Sequence, residues 1–439
     1  MKRKHKRIRR HPKNNHKDLL FIFLFALLIT SGLIIKQVFF PPVLPLFHGP
    51  HLSKALYKSG LNQGETLGTK IKRRIFGKAS IPTPPPQKPT LTLVPTPTIT
   101  VIKRQYGIAA GGVLPFMDQA QLDLYFTQLK ELGVTWVRYD FEWRLIQKNS
   151  STGFDWSGTD RVVQTARKYD INTLGTIAYA PAWARLSACS GEFACAPADP
   201  SAFGLFAGQV AARYASLGIH YWEIWNEQNT VVFWKPKPDV NSYVAILKSA
   251  YASIKKVDPT AVILSGGLAI TGDEDNNIAP ITFISAMYDF DTTKDFDGVA
   301  FHPYTYPATA SYPASWNHWL KINAIRQLMI THQDGNKPLW ITEYGAATGG
   351  PGSSHDTTQL DNFIYGKDFM TETAQEMMMN DVLSLFSQLQ GPTGPFFWYS
   401  LKDNGTDKST PENFFGLLRF DNSKKPAYYQ LQSAIQNSK

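Results

Sequence analysis

Short apolar runs alternate with amphipathic stretches from Gln105 to the C-terminus of this 439-residue chain. The runs are rich in β-branched and aromatic residues, which favour strands, whereas the stretches between them repeat apolar residues at helical spacing. This pattern predicts eight strands, at residues 106–110, 134–139, 172–179, 219–225, 261–265, 298–301, 338–342 and 395–399.

Helices are predicted between these strands. Asp118 is placed to cap the first of them, and Pro200 opens another at a position where its missing N–H is harmless. Eight strand–helix alternations indicate an α/β fold, a (β/α)8 TIM barrel over residues 105–439, because right-handed crossovers leave few other closed arrangements. A doubly wound open sheet is the alternative, although no glycine-rich phosphate loop follows an early strand. The predicted helices cover residues 118–132, 161–169, 240–257, 281–289, 316–331, 373–389 and 426–436, with another starting near 199.

The first 40 residues have a different pattern. Residues 19–35 are uncharged and apolar, at the short end of the roughly 17–25 residues that span a bilayer, and the stretch extends to Phe40 if Lys36 snorkels. Because a basic run precedes this segment, the positive-inside rule predicts a cytoplasmic tail at 1–18 and a single-pass transmembrane anchor at 19–40. A cleaved signal peptide is the alternative, but no clear small-x-small site follows Ile35.

Residues 41–104 are predicted to be an extracytoplasmic linker. Residues 81–100 are rich in Pro and Thr, a composition that favours an extended polyproline conformation and a semi-rigid stalk. At about 3.1 Å per residue, this stretch would span roughly 60 Å and would hold a folded domain away from a membrane.

The formal charge is distributed unevenly along the chain. The whole sequence has a net charge of +10, but residues 1–18 carry +8 and residues 19–104 carry +10, so residues 105–439 carry −8. Since phosphate binding needs a basic face on the folded domain, a nucleic-acid partner is excluded. The basic head is instead expected to contact a membrane.

Cys189 and Cys195 lie in one short loop after the third predicted strand. Outside the cytoplasm a disulfide between them is expected, with a pair of unlinked thiols as the alternative. A metal site would need more ligands than this loop supplies, and neither a metal nor another cofactor is predicted.

Two glutamates stand at the ends of predicted strands: Glu227 in Trp-Glu-Ile-Trp-Asn-Glu and Glu343 in Leu-Trp-Ile-Thr-Glu-Tyr-Gly. Barrel enzymes hold their catalytic residues at the C-terminal ends of the strands, and glycoside hydrolysis requires two carboxyl groups there. An arginine beside Glu343 would keep it ionised, and the charge of Glu343 would raise the pKa of Glu227.

Further polar or aromatic residues fall near the ends of other strands. Each has a simpler explanation by itself, such as an ion pair of Arg138 with Asp140 or Glu142, a core histidine or plain packing. Their joint placement favours a site. The candidates are Arg138, Asn226, His302, Tyr304 and Trp398.

The segments Trp-Asn-Glu at 225–227 and Trp-Ile-Thr-Glu-Tyr-Gly at 340–345 resemble the acid/base and nucleophile signatures of clan A glycoside hydrolases. The likeness is greatest to family 39, with family 5 cellulase-like enzymes as the near alternative, and covers about 105–439. It implies that Glu227 is the acid/base, that Asn226 binds the sugar 2-hydroxyl and that Glu343 is the nucleophile. Arg138 matches an arginine that steadies the nucleophile. His302, Tyr304 and Trp398 resemble residues that line the sugar-binding subsites of this clan, with Tyr306 as the alternative to Tyr304.

Tryptophans in or near the predicted loops could stack on the apolar faces of sugars, with core or surface packing as the alternative. We favour Trp183 and Trp234 among Trp143, Trp183, Trp234, Trp316 and Trp319.

The sequence therefore predicts a membrane-attached retaining glycoside hydrolase that cleaves β-glycosidic bonds of a polysaccharide or oligosaccharide through a covalent glycosyl-enzyme intermediate. A transglycosylase that remodels surface glycan, an inactive carbohydrate-binding barrel and a tethered scaffold are the alternatives. The sugar, the linkage and the oligomeric state stay open.

Overall fold

The structure is a computed structural model that describes residues 104–358, 360 and 362–438. Its strands are β1 (Tyr106–Ala109), β2 (Trp136–Glu142), β3 (Asn172–Ala178), β4 (Tyr221–Asn226), β5 (Val262–Gly267), β6 (Val299–Phe301), β7 (Leu339–Ile341), β8 (Ser354–His355), β9 (Phe369–Met370) and β10 (Thr393–Tyr399).

Eight of these strands form one parallel sheet in the order β5-β4-β3-β2-β1-β10-β7-β6. Bridges between Leu264 and Gly298 and between Leu268 and Phe301 join β5 to β6, so the sheet closes on itself. The predicted (β/α)8 barrel is therefore confirmed. The short strands β8 and β9, which pair with each other in the connection after β7, were not predicted.

A helix follows each strand of the barrel and packs outside it. The helices are α1 (Gln119–Leu132), α2 (Trp143–Ile146), α3 (Ser157–Lys168), α4 (Pro200–Tyr214), α5 (Val240–Val257), α6 (Pro280–Asp289), α7 (Ile322–Thr331), α8 (Glu372–Gln388) and α9 (Pro426–Asn437). Short 3-10 turns occur at Leu114–Phe116, Ala182–Ala184, Ser187–Cys189, Ala215–Leu217, Trp319–Lys321 and Pro411–Phe414.

Local signals explain where the helices begin. Asp118 and Gln121 form a capping box at α1, with the Asp118 carboxylate accepting from the Gln121 N–H at 2.8 Å. By contrast, α3 begins at Ser157, four residues before its predicted start, because Asp155 accepts hydrogen bonds from the backbone N–H and hydroxyl of Ser157. The weak helix formers that follow Ser157 hid this start in the sequence pattern.

Successive residues of each barrel strand face opposite sides of the sheet. The inward set forms a buried layer that fills the barrel, and the outward set packs against the helices in a larger core. On β2 the inward series begins at Trp136 and continues through Arg138, Asp140 and Glu142. The inward layer consists of Ala109, Trp136, Leu174, Leu264, Ala300, Trp340 and Phe397.

Strand β4 departs from this alternation at its C-terminal end. Trp225 has a φ of 73° and packs outward against Trp234 and Phe203, and Glu227 has a φ of 52°. Positive φ is unusual for such residues and clusters at functional sites. The hydroxyl of Tyr243, on α5, joins the neighbouring strands here: it donates to the Ile224 carbonyl at 3.1 Å and accepts from the Gly266 N–H at 2.7 Å.

Several predictions fall outside the described residues: the basic tail at 1–18, the anchor at 19–40 and the linker at 41–104 up to its last residue, Arg104. Within residues 104–358, 360 and 362–438, no helix combines the length and apolar character required to cross a membrane.

Replacing Tyr243 with Phe should reduce the free energy of unfolding by about 1–3 kcal/mol, because a buried carbonyl and a buried N–H lose their shared partner. Denaturant titration followed by tryptophan fluorescence measures this change. Tyr429→Phe, at a position that is 54% exposed on α9, is the matched control and should leave the unfolding free energy unchanged. Equal stability of the two variants would contradict the role of the Tyr243 hydroxyl.

Candidate active site

The two strand-end glutamates meet over the C-terminal mouth of the barrel. One carboxylate oxygen of Glu227, one carboxylate oxygen of Glu343 and one ring nitrogen of His302 all lie within 4.8 Å of one another. Retaining glycosidases hold their carboxyl groups about 5–5.5 Å apart, whereas inverting enzymes leave roughly 6.5–9.5 Å for a water molecule. The spacing fits the retaining arrangement.

Arg138 fixes one side of this pair. Its guanidinium donates from Nη1 to Oε1 of Glu343 at 2.5 Å and from Nη2 to Oδ1 of Asn226 at 2.8 Å. The Arg138 side chain is fully buried, so these charge-assisted bonds hold both acceptors in one orientation. Because the Asn226 oxygen is engaged, its NH₂ group is the part available to a ligand; no described residue accepts from it.

Glu223 contacts Arg138 from the interior of the barrel. It was not among the site residues predicted from the sequence. Its Oε2 accepts from Nε of Arg138 at 2.5 Å and from the hydroxyl of Thr176, and its Oε1 accepts from the hydroxyl of Thr342. A buried charge needs such partners. A signal was present, because Glu223 occupies an inward position within an otherwise apolar strand.

Tyr304 and His302 complete the contacts of the two glutamates. The Tyr304 hydroxyl donates to Oε2 of Glu343 at 2.8 Å, so Tyr304, rather than Tyr306, supplies this hydrogen bond. Nδ1 of His302 lies 2.9 Å from Oε1 of Glu227 and 3.8 Å from Oε2 of Glu343. The ring packs so closely on Gly267 that a Cβ there would lie 2.1 Å from Nε2 of His302.

The surroundings separate the two glutamates electrostatically. Burial raises the pKa of both; at Glu343 the Arg138 guanidinium and the Tyr304 hydroxyl oppose this rise. At Glu227 the main opposing group is His302, with a smaller effect of Arg138, while the negative charge of Glu343 raises the Glu227 pKa further. A guanidinium in direct contact outweighs a histidine that is charged only when protonated. Glu343 therefore ionises first and Glu227 retains the proton.

The structure corrects the placement of Trp398. This residue is fully buried outside the barrel, where its indole N–H donates to the Phe415 carbonyl and its ring packs against Tyr344. Alternation along β10 instead turns Tyr399 inward, beside the site. Burial raises the Tyr399 pKa well above its ordinary value, and the charge of Glu343 contributes to that rise. Tyr399 was not among the predicted site residues, because the sequence predicted the strand but not which of its side chains point into the barrel.

The two favoured tryptophans differ in their surroundings. Trp234 is 1% exposed and packs edge-on against Trp225, so it cannot stack on a sugar. The reason is the outward turn of Trp225, which draws Trp234 into the core. Trp183 is 39% exposed, and its indole N–H donates to the Gln147 carbonyl at 2.9 Å. Its sugar-stacking role stays a prediction.

Cys189 and Cys195 are joined by a disulfide with their Cα atoms 5.5 Å apart. The loop that contains them, between β3 and α4, is held to the loop after β4 by a bridge between Cys195 and Lys235. The disulfide thus restrains two loops at the end of the barrel that carries the glutamates.

In the described part of the chain, Glu227, His302 and Glu343 form the group of side chains close enough to share a metal ion. Arg138 nevertheless places a positive charge 2.5 Å from Glu343, and it would repel a cation bound there. This electrostatic arrangement suits proton transfer better than metal binding.

Comparison with known proteins agrees with this geometry. The family model of cellulases, glycosyl hydrolase family 5, matches residues 104–377. The chain belongs to glycosyl hydrolase family 5. This membership confirms the expected resemblance to clan A glycoside hydrolases of family 39 or 5. No match to a curated protein was found.

Solved structures similar to this family 5 chain come from both expected families. A family 39 glycoside hydrolase from Bacteroides cellulosilyticus WH2 has 22% identity and a TM-score of 0.55 over 76% of this chain. A GH39 enzyme from Xanthomonas axonopodis pv. citri has 17% identity and a TM-score of 0.55 over 75%. The chain spans 64% and 65% of these two proteins. A GH5_18 protein from Streptomyces cattleya has 13% identity and a TM-score of 0.55, with 76% of this chain and 80% of that protein covered. At these identities the likeness establishes the fold.

Replacing Tyr304 with Phe should move the acidic limb of the pH–activity profile to higher pH. In the wild type the hydrogen bond from Tyr304 lowers the pKa of Glu343. Without this bond the pKa of Glu343 is higher, so Glu343 becomes protonated at a higher pH. We expect kcat/KM on an aryl glycoside to decrease more at pH 5 than at pH 7. Tyr312→Phe, at an exposed position in the same loop, should keep the wild-type profile. An unshifted acidic limb in Tyr304→Phe would refute the role of this hydrogen bond in keeping Glu343 ionised.

Proposed function

We propose that this family 5 chain is a retaining glycoside hydrolase that cleaves β-glycosidic bonds of a polysaccharide or oligosaccharide. The observation that supports this proposal most directly is the close approach of two differently surrounded glutamates. Glu343 contacts Arg138 and Tyr304, whereas Glu227 contacts His302. One carboxyl group is thereby prepared to attack and the other to donate a proton.

In the first step, a carboxylate oxygen of Glu343 attacks the anomeric carbon and forms an ester bond with it. The glycosidic bond breaks, its electron pair goes to the leaving oxygen, and Glu227 donates a proton to that oxygen. Arg138 and Tyr304 hold Glu343 ionised and correctly oriented before the attack.

In the second step, Glu227 removes a proton from a water molecule whose oxygen attacks the same carbon. The ester bond to Glu343 breaks, and Glu343 leaves as a carboxylate, so both glutamates return to their starting protonation states. The NH₂ group of Asn226 is placed to donate to a sugar hydroxyl beside Glu343, a bond that strengthens as the ring flattens.

Glu343→Gln and Glu227→Gln should each reduce kcat on an aryl glycoside by about two to four orders of magnitude, because each removes one half of the double displacement. Azide should restore turnover to Glu227→Ala with an activated leaving group and yield the β-glycosyl azide. Glu131→Gln, at an exposed carboxylate on α1, is the control and should retain full activity. Wild-type activity in either active-site variant would refute the mechanism.

We also propose that residues 19–40 anchor the enzyme in a membrane, with residues 1–18 in the cytoplasm and the barrel outside. The support comes from the sequence: an uncharged apolar run is preceded by a segment of net charge +8 and followed by a Pro/Thr-rich stretch. A disulfide in the barrel is compatible with an oxidising compartment.

Full-length protein should remain in the membrane pellet after washing with carbonate and high salt, and detergent should release it. Removal of residues 1–40 should transfer the protein to the soluble fraction, while the aryl glycoside assay checks that the barrel is intact. Mass spectrometry of the membrane-bound form should detect the N-terminal basic segment. A soluble product that lacks this segment would instead indicate a cleaved signal peptide.

A further inference from the structure

Asp140 is a buried carboxylate that the reaction above does not use. It is two residues after Arg138 on the inward face of β2 and is 8% exposed. No residue in the described part of the chain donates a hydrogen bond to its side chain, although a buried carboxylate is normally paired. This acceptor without a donor lies on the inward side of the barrel, near enough to Glu343 for the two charges to interact.

The neighbours of Asp140 place it on the side of the cavity formed by β1, β2, β3 and β10. A Cβ on Gly112, just beyond β1, would lie 3.6 Å from Oδ2 of Asp140. Burial raises the pKa values of Tyr179, at the end of β3, and of Tyr399, on β10, and the charge of Asp140 contributes to both rises. Burial raises the pKa of Asp140 itself to about 7, against the opposing effect of Arg138.

The inward-facing charges of the site are predominantly negative. Arg138 is already shared between Glu223 and Glu343, and Arg144 forms an ion pair with Glu142 at 2.5 Å. These two arginines are therefore paired with glutamates. Asp140 and Glu227 add two further carboxyl groups. A uronic acid would bring another carboxylate into a low-dielectric space that is already acidic.

We propose, building on the glycosidase function above, that Asp140 is a specificity-determining residue for the sugar that occupies the site beside Glu343. Its carboxylate accepts hydrogen bonds from hydroxyl groups of a neutral sugar and excludes uronic acids. Binding of such a sugar gives the unpartnered carboxylate the donors that the protein does not supply. A sugar lacking those hydroxyl groups leaves a buried carboxylate unpaired and is rejected.

The test compares full-length wild-type protein with Asp140→Asn on 4-nitrophenyl β-glucoside, β-mannoside, β-galactoside, β-xyloside and β-glucuronide. For the best neutral substrate we expect kcat/KM to fall about 10- to 100-fold in Asp140→Asn, as for a lost hydrogen bond to a charged group. The ratio of glucuronide to neutral activity should rise at least tenfold. A uniform decrease on all five substrates, or no decrease, would overturn the proposal.

Monodeoxy analogues of the best substrate identify the hydroxyl group concerned. Removal of the hydroxyl that Asp140 binds should lower kcat/KM in the wild type but should produce little further loss in Asp140→Asn, because the two changes delete the same interaction. Additive losses at every sugar position would count against the contact. If the wild type hydrolysed none of the five glycosides, the proposed glycosidase function itself would fail, which is a distinct outcome.

Thermal unfolding at pH 8 separates a substrate-binding role from a structural one. Asp140→Asn should raise Tm or leave it unchanged, since ionised Asp140 is solvated better in the unfolded chain than in its buried position. Asp258→Asn is the matched control: Asp258 is also buried, but it pairs with His220 at the opposite end of the barrel. That variant should lower Tm and keep the wild-type substrate ratio. A lowered Tm with an unchanged substrate ratio in Asp140→Asn would show a structural role and overturn the proposal.

Discussion

The site depends on one buried guanidinium held between two carboxylates. Arg138 bonds Glu223 below and Glu343 above at 2.5 Å each, so the charge that supports the strand-seven glutamate is itself compensated from within the barrel. Without the guanidinium both carboxylates would lose their charge partner, and an unpaired buried charge is strongly destabilising. The same side chain orients Asn226. Glu343, Asn226 and the barrel core are thus joined through one residue.

The second constraint is the irregular end of β4. Positive φ at Trp225 and Glu227 interrupts the alternation of the strand, so Trp225 turns into the outer core while Asn226 and Glu227 reach the cavity. Tyr243 bridges the backbone of β4 and β5 at this point, and Gly267 leaves room for His302. Backbone geometry that would be unfavourable elsewhere is stabilised by packing, and it sets the distance between Glu227 and Glu343.

An acidic cavity follows from the same arrangement. Arg138 and Arg144 are paired with glutamates, and Asp140 has no hydrogen-bond donor among the described residues. Burial then raises the pKa of Asp140, as it does those of the two central glutamates. In the proposed function, hydroxyl groups of the sugar supply the donors that the described residues lack. Electrostatics therefore connects catalysis with the choice of sugar in the proposed function.

The sequence by itself determined the fold class and located most of the residues that meet at the candidate site. Short apolar runs separated by helical stretches indicated the barrel. Strand ends and motifs identified the glutamates after strands four and seven, together with Arg138, Asn226, His302 and Tyr304. These features are local or depend on strand order alone. Only the tertiary structure decided which face each side chain takes. It turned Trp398 outward and Tyr399 inward, buried Trp234 behind Trp225, and placed Glu223 and Asp140 around Arg138. The side of the sheet that a side chain faces, and the residues it contacts, depend on the register between neighbouring strands and on the backbone irregularity in β4. The pattern of a single segment encodes neither the register nor the irregularity.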